Sequence, residues 1–324
     1  MNLMATAPGG PRLDITQFYR SVTWSGSLRT CGRQLQMDLF NPQEGDFERP
    51  NIPSGSVVEL WEDDTLLFYG QALIHKQPDS SSILSVTALD NARFLRNKGW
   101  YIFRGVTAEA ATAQLCRDFG IPVGELPQTG VKLTRKFAAV ALYKIIATLF
   151  TMAGEQTGKR YIVRFVGDKL TVREKNDGRP ELVIAPGANL MGRTTTVDAS
   201  KIYTQAAIYS KDGKLIRTID SPDTRAAYGT FREIIIQRKG VDANKAAHAV
   251  LDDNGVKQTI TVDVLGDWRM VTGEATALVD AFSGQAGRFW IDADAHTWKN
   301  HQHFTKLDLN FRSMMDEQSA GSEK

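Results

Sequence analysis

Residues 52–90, IPSGSVVELWEDDTLLFYGQALIHKQPDSSSILSVTALD, read as a strand–turn meander. Pro53, Ser54 and Gly55 make a turn, and Val57 to Trp61 is a run of β-branched and aromatic residues suited to a strand. Asp63 and Asp64 form a second turn, Leu66 to Tyr69 is the return strand, and Gly70 stops it. After a turn at Asp79 to Ser82, Leu84 to Leu89 alternates with Ser85 and Thr87. Short strands at this spacing, punctuated by Gly, Pro, Asp and Ser, indicate a small barrel or sandwich. The stretch carries no catalytic pattern.

Working outward, Phe18 to Trp24 and Leu35 to Phe40 join the same β-block, with Asn41-Pro42 as a stop. Residues 1–12 are small and rich in Gly and Pro, which suggests a flexible arm. Residues 97–190 change character. Thr107 is placed to cap a helix from Ala108 to Phe119, ended by Gly120 and Pro122. A second helix is expected from about Lys136 to Ala153, burying Leu142, Ile145, Ile146, Leu149 and Phe150. A hairpin, Tyr161 to Val166 and Lys169 to Arg173, turns at Gly167-Asp168, and residues 185–189 read as a linker.

Residues 191–312 return to β, with candidate strands at Thr204–Tyr209, Lys214–Ile219, Phe231–Gln237, Gln258–Val264, Phe289–Ala293 and Thr305–Phe311. A helix capped by Asp242 interrupts them. Residues 313–324 look like a polar tail. The expected fold class is α+β, mainly β: β-domains at 13–96 and 191–312 flank a helix–helix–hairpin domain at 97–190.

The 324 residues suffice for two or three domains with real cores. With 39 basic and 37 acidic residues the net charge is +2, and no basic stripe marks a nucleic-acid binder. The longest apolar run, Phe137 to Phe150, is too short to span a bilayer, and the N-terminus lacks the pattern of a signal peptide. Two cysteines, Cys31 and Cys116, exclude a disulfide scaffold and fit synthesis in a reducing cytoplasm.

Candidate chemistry is sparse. Asp292, Asp294, His296, His301 and His303 fall close together and could supply metal ligands. Their spacing gives no helical His pair; a solvated hairpin with polar ends is the simpler reading, with Asp292 and Asp294 on one face and His301 and His303 on another. Cys116 sits in a helix as a core residue would, and Cys31 in a turn, so neither looks like a nucleophile. Gly154 to Arg160 has the wrong spacing and the wrong helix–strand order for a phosphate loop. Glu62, Asp63, Asp64 and Asp252-Asp253 could act as glycosidase carboxylates, but they read more simply as turn formers and caps. Trp24, Trp61, Trp100, Trp268, Trp290 and Trp298 look like core or interface anchors. No catalytic, cofactor or metal residue is assigned.

Val22 to Ser27, Arg33 to Leu35, Asn41-Pro42, Pro53 to Val58, Phe68 to Gly70, Ala88 to Asp90 and Leu95 to Phe103 together resemble the XkdQ/YqbQ family of phage-tail hub proteins. Asp198 to Tyr209, Tyr228 to Phe231 and Phe289 to Phe311 are similar too. The resemblance covers most of the chain and is one of organisation only over 104–190. It implies a structural hub of a contractile-tail baseplate, and not an enzyme. Two tail-tube-like β-barrels per subunit would let a homotrimer present a ring of six to a hexameric tube and receive a trimeric spike. Implied partners are the tail tube or its initiator, the central spike and baseplate wedge proteins. DNA would pass through the lumen without specific binding, which near-neutral charge suits. The implied location is the virion tail, after synthesis in the host bacterial cytoplasm. The alternative is a tail-associated peptidoglycan hydrolase, recognisable by clearing on a peptidoglycan zymogram that one carboxylate or Cys116 substitution abolishes.

Overall fold

The computed structural model of the chain describes residues 1–42, 45–175, 182–237, 242–279, 281, 284 and 286–322. They form two compact units, Met1–Arg193 with Val262–Lys324, and Thr194–Thr261. Among the described residues no helix is long and apolar enough to cross a membrane.

In the first unit the strands β1 (Asn2–Thr6), β2 (Arg12–Asp14), β3 (Tyr19–Ser27), β4 (Thr30–Phe40), β5 (Val57–Glu62), β6 (Thr65–Lys76) and β7 (Ile83–Asp90) come first. β5, β6, β7 and β4 run as antiparallel neighbours, with Leu60 opposite Phe68 and Met37 opposite Val86. Alternation decides the register, because a slip of one residue would turn Val58, Leu60, Val86 and Ala88 out of the core. Where the sequence suggests an arm, the chain instead forms β1. Leu3 and Ala5 alternate into the same core opposite Leu60 and Val58, so five residues of pairing replace a free end.

The middle of this unit holds β8 (Lys98–Thr107), α1 (Ala108–Asp118), β9 (Lys132–Ala141), α2 (Leu142–Thr157), β10 (Tyr161–Val166) and β11 (Lys169–Glu174). The Thr107 hydroxyl caps α1 by accepting from the Ala110 amide, and Gly120 (φ +63°) lets the chain turn away. α2 starts six residues later than its apolar pattern suggests. Lys136 to Ala141 pair with β8, and Phe137, opposite Tyr101, buries its whole ring, so cross-strand packing outweighs helical periodicity there. Leu142, Ile145, Ile146, Leu149 and Phe150 of α2 close a core with Leu115, Leu170 and Val172.

The second half adds β12 (Leu182–Ile184), β13 (Leu190–Asp198), β14 (Gln205–Tyr209), β15 (Leu215–Asp220), α3 (Pro222–Tyr228), β16 (Arg232–Ile236), α4 (Ala243–Asp253), β17 (Lys257–Leu265), β18 (Ala275–Val279), β19 (Ala286–Lys299) and β20 (Gln302–Asn310). Residues 185–189, read as a linker, are a turn held by the Asn189 side chain, which bonds the Ala185 amide and the Val183 carbonyl. In the second unit β14 pairs parallel to β16 and antiparallel to β15. Ala247 and Leu251 of α4 cover Ala206, Ile208 and Ile219, and the Asp242 carboxylate caps α4 at the Asn244 and Lys245 amides.

Two expectations need correction. The stretch 191–312 is not one β-domain: Thr194–Thr261 forms the second unit, while β18, β19 and β20 extend the sheet of the first block. Its strand order is β13-β17-β20-β19-β3-β4-β7-β6-β5-β1-β2, with β18 pairing β12 and β19, and no sheet closes into a barrel among the described residues. The physical reason is β19, which sets Ala293 to Lys299 against β3 and so joins the two ends of the chain. The supposed polar tail is also ordered over 313–322: Met315 is buried in the α2 core, the Gln318 and Ala320 amides donate to Thr151 and Thr148, and Ser322 pairs with Lys136.

Candidate functional site

The densest polar chemistry lies at this seam between β19 and β3. Gly26 has no side chain, and a Cβ there would sit 2.5 Å from Arg33 Nη1. Arg33 therefore crosses β3, lays its guanidinium 3.8 Å from the Trp24 ring centroid and grips both oxygens of Asp294. Asp294 is buried on β19 and also accepts from the Thr272 amide (2.7 Å) and hydroxyl (2.6 Å). Burial works to raise its pKa, but the Arg33 guanidinium, with His296 adding to it, outweighs that and holds the carboxyl well below the usual range.

Two residues on, His296 is fully buried and tilted over Trp24 at 5.1 Å. Its Nε2 lies 3.3 Å from Asp294 Oδ2, within ion-pair reach but off the line of a hydrogen bond. Its Nδ1 meets Thr305 Oγ1 at 3.0 Å and His303 Nε2 at 3.2 Å. His303 stacks on Trp298 at 4.2 Å, and the backbone of Gly266 closes its other side. Burial, then His296, push the His303 imidazole down to about 4, against the pull of Asp267.

Of the residues singled out from sequence, the structure thus brings together Asp294, His296 and His303. Asp292 falls at a bulge after Ile291 and faces Asn310 instead, so the two aspartates do not share a face. His301 sits with Asn300 at the hairpin turn, both at positive φ, beside Tyr19. The solvated-hairpin reading is corrected: the middle of the hairpin is buried because its neighbours are Trp24 and Trp298. Among the described residues no three His, Cys, Asp or Glu side chains converge as metal ligands do.

The remaining candidates lie elsewhere. Burial pushes the Cys116 thiol up to about 11 and, with Asp90 and Asp316 adding, the Cys31 thiol well above its ordinary value. Neither is a thiolate at neutral pH. Gly154 lies inside α2 and Gly158 (φ +73°) ends it, leading into β10. Glu62 sits 3.4 Å from the Met1 amino group, and Asp63 occupies the β5–β6 turn at φ +49°. Trp24 and Trp298 are buried, whereas Trp100 is 65% exposed. Arg33 and Thr272 are the site residues that sequence reading does not single out.

His303 gives the cluster a pH dependence. The unfolded imidazole takes a proton near pH 6.5, the folded one only near pH 4, so acidification between those values favours the unfolded chain. Discounted for partial exposure, the loss is about 1–2 kcal/mol. Asp90, buried and raised to about 6, acts oppositely in the same range. His303→Gln is therefore compared with wild type: the difference in urea midpoint should shrink from pH 7 to pH 4, and parallel curves would refute the effect.

Comparison with known proteins places this arrangement in a family. The sequence profile described as YqbQ-like matches residues 22–310. The chain belongs to the YqbQ-like family. It is similar to the phage-like element PBSX protein XkdQ of Bacillus subtilis (strain 168), at 22% identity over 308 residues, covering 92% of this chain and 94% of XkdQ. The YqbQ-like chain also shares its fold with the 43 kDa tail protein of prophage MuSo2 from Shewanella oneidensis, with a TM-score of 0.73, 12% identity and 98% and 100% of the two chains covered. A tail protein from Neisseria meningitidis MC58 matches with a TM-score of 0.71, 14% identity and 98% and 99% coverage. The seam residues Trp24, Arg33, Asp294, His296 and His303 all fall inside the span matched by the YqbQ-like profile.

Proposed function

We propose that this YqbQ-like chain is a structural subunit of the baseplate of a contractile phage tail or tail-like particle. The observation that carries the reading is the whole-length fold likeness to the MuSo2 tail protein, which leaves almost nothing of either chain unmatched. In this reading three copies form a ring, and the long sheet that joins strands from both ends of the chain supplies two tube-like elements per subunit. Six such elements meet a hexameric tail tube or its initiator on one side, and the threefold axis receives the spike on the other. Wedge proteins join from outside, DNA passes through the lumen, and the protein acts in the virion after synthesis in the host cytoplasm.

The role is non-catalytic. The seam spends its charges on one another, Arg33 on Asp294, and both thiols are held protonated. Such groups are spent on holding β19 against β3, which suits a part that bears load across a joint. The test is mass by light scattering, alone and with the cognate spike protein. Three 35.9 kDa chains per particle are expected. A monomer that stays monomeric with both spike and tube proteins overturns the proposal.

A further inference from the structure

We infer that a groove along the β10–β11 hairpin is a socket for one carboxylate side chain of a partner protein, set next to an apolar residue. The groove encloses about 450 Å³ within the first unit, between the hairpin, the β5–β6 turn and the loop Trp268–Glu274. Its apolar wall includes Leu66, Val166, Trp268 and Val271, none of them fully buried, and Val166 is 51% exposed. Its charged wall is Arg164, Arg173 and Glu274, while Arg33 and Arg269 are spent on Asp294 and Asp267.

Two cations share one counter-charge here. Arg164 stands opposite Thr171 and Arg173 opposite Ile162, so both arginines lie on one face of the hairpin. Both turn to a single oxygen, Glu274 Oε1. Arg164 Nη2 donates to it at 3.2 Å, whereas Arg173 Nη1 lies 3.6 Å away, too far for a hydrogen bond. Among the described residues neither arginine has another carboxylate within 4.0 Å. Arg164 is largely buried, and its Nε has no acceptor. Burial lowers its pKa despite Glu274, and the Arg173 charge adds to the burial. One positive charge is thus left over between the pair, and a second carboxylate would balance it and accept from the unspent donors.

The same charges exclude other occupants. A nucleic-acid strand brings a charge with every nucleotide, and Glu274, 41% exposed, would repel the second. Inorganic phosphate would leave Leu66, Val166 and Trp268 against water. A single carboxylate with an apolar neighbour satisfies both walls. This contact goes beyond the tube and spike contacts of the proposed baseplate role, and it is read on the isolated chain, so it stands or falls apart from the trimer.

The experiment titrates the full chain into two end-capped, rhodamine-labelled peptides, read by anisotropy beside a labelled single-stranded DNA. One peptide is Gly-Ser-Leu-Glu-Phe-Ser-Gly, and the other has Gln in place of Glu. The Glu peptide is expected to bind with a Kd of about 100 μM, at least about tenfold (1.4 kcal/mol) tighter than its Gln twin. Arg173→Gln should abolish that preference, and because Arg173 is 51% exposed the thermal midpoint should stay unchanged. Glu274→Gln removes the competing carboxylate and should tighten the Glu peptide at least about threefold, a gain that purely structural arginines would not give. Absence of binding, equal binding of the two peptides, a preference that survives Arg173→Gln, or no tightening by Glu274→Gln overturns the inference. Tighter binding of the DNA, or displacement of the Glu peptide by phosphate at lower concentration than by acetate, also overturns it, by making a phosphate group the ligand.

Discussion

Arg33→Ala should destabilise the first unit by about 3–5 kcal/mol, because it strands the Asp294 carboxylate in the interior without its cation. Asp294 keeps the Thr272 amide and hydroxyl as donors, but hydrogen bonds do not neutralise a desolvated charge. The loss includes the guanidinium face stacked on Trp24. The double variant Arg33→Ala/Asp294→Ala should cost less than the two single changes added together, since each single change leaves a lone buried partner. Urea unfolding of the four proteins reads the coupling directly. A cost for Arg33→Ala below about 1 kcal/mol would mean that the pair behaves as an exposed one, and the account of the seam would fall.

Removing residues 313–324 should cost the α2 core more than Met315→Ala, itself expected at about 2–4 kcal/mol. Met315 fills space against Gly154, and the segment also satisfies the hydroxyls of Thr148 and Thr151, which are otherwise turned to the α2 backbone or buried. Gly321 marks how closely the segment lies on β9: a Cβ there would meet the Lys136 carbonyl at 2.3 Å, at a φ of +74°. Thermal unfolding of the truncated chain against Met315→Ala separates the ordered segment from the single side chain. Equal stability of truncated and full chains would show that the segment contributes nothing.

Local chemistry was legible in the sequence wherever it decided the structure alone. The turns of the meander, the Thr107 and Asp242 caps and the Tyr161–Arg173 hairpin are set by neighbours in the chain and appear where turn and cap residues indicate. Gly70, however, does not stop the return strand: it pairs with Val58 and Asp90 inside β6, which runs on to Lys76. Long-range pairing was not legible. Phe137 reads as part of an apolar helix until β8 is beside it, and Leu3 and Ala5 look unremarkable until Leu60 and Val58 face them. The site shows the same division. His296 and Asp294 stand out by residue type, but their burial comes from Trp24 and Arg33, which lie more than two hundred and fifty positions away. Sequence gives an Arg33–Asp294 pair no local signature, and the bulge at Asp292 breaks the alternation that strand reasoning assumes.

The path of the chain at Gly192 carries a consequence of another kind. β13 and β17 are neighbours in the sheet order, and a Cβ on Gly192 would lie 3.9 Å from that of Asp263. The polypeptide therefore leaves the first unit at Arg193 and re-enters at Val262 through adjoining strands. Thr194–Thr261 is thus a cassette spliced between two neighbouring strands, with its own small core of Ala206, Ile208, Ile219 and Leu251. Its length and content are free to drift between homologues, or to be exchanged by design for a short turn, while the register of the strands on either side stays as it is.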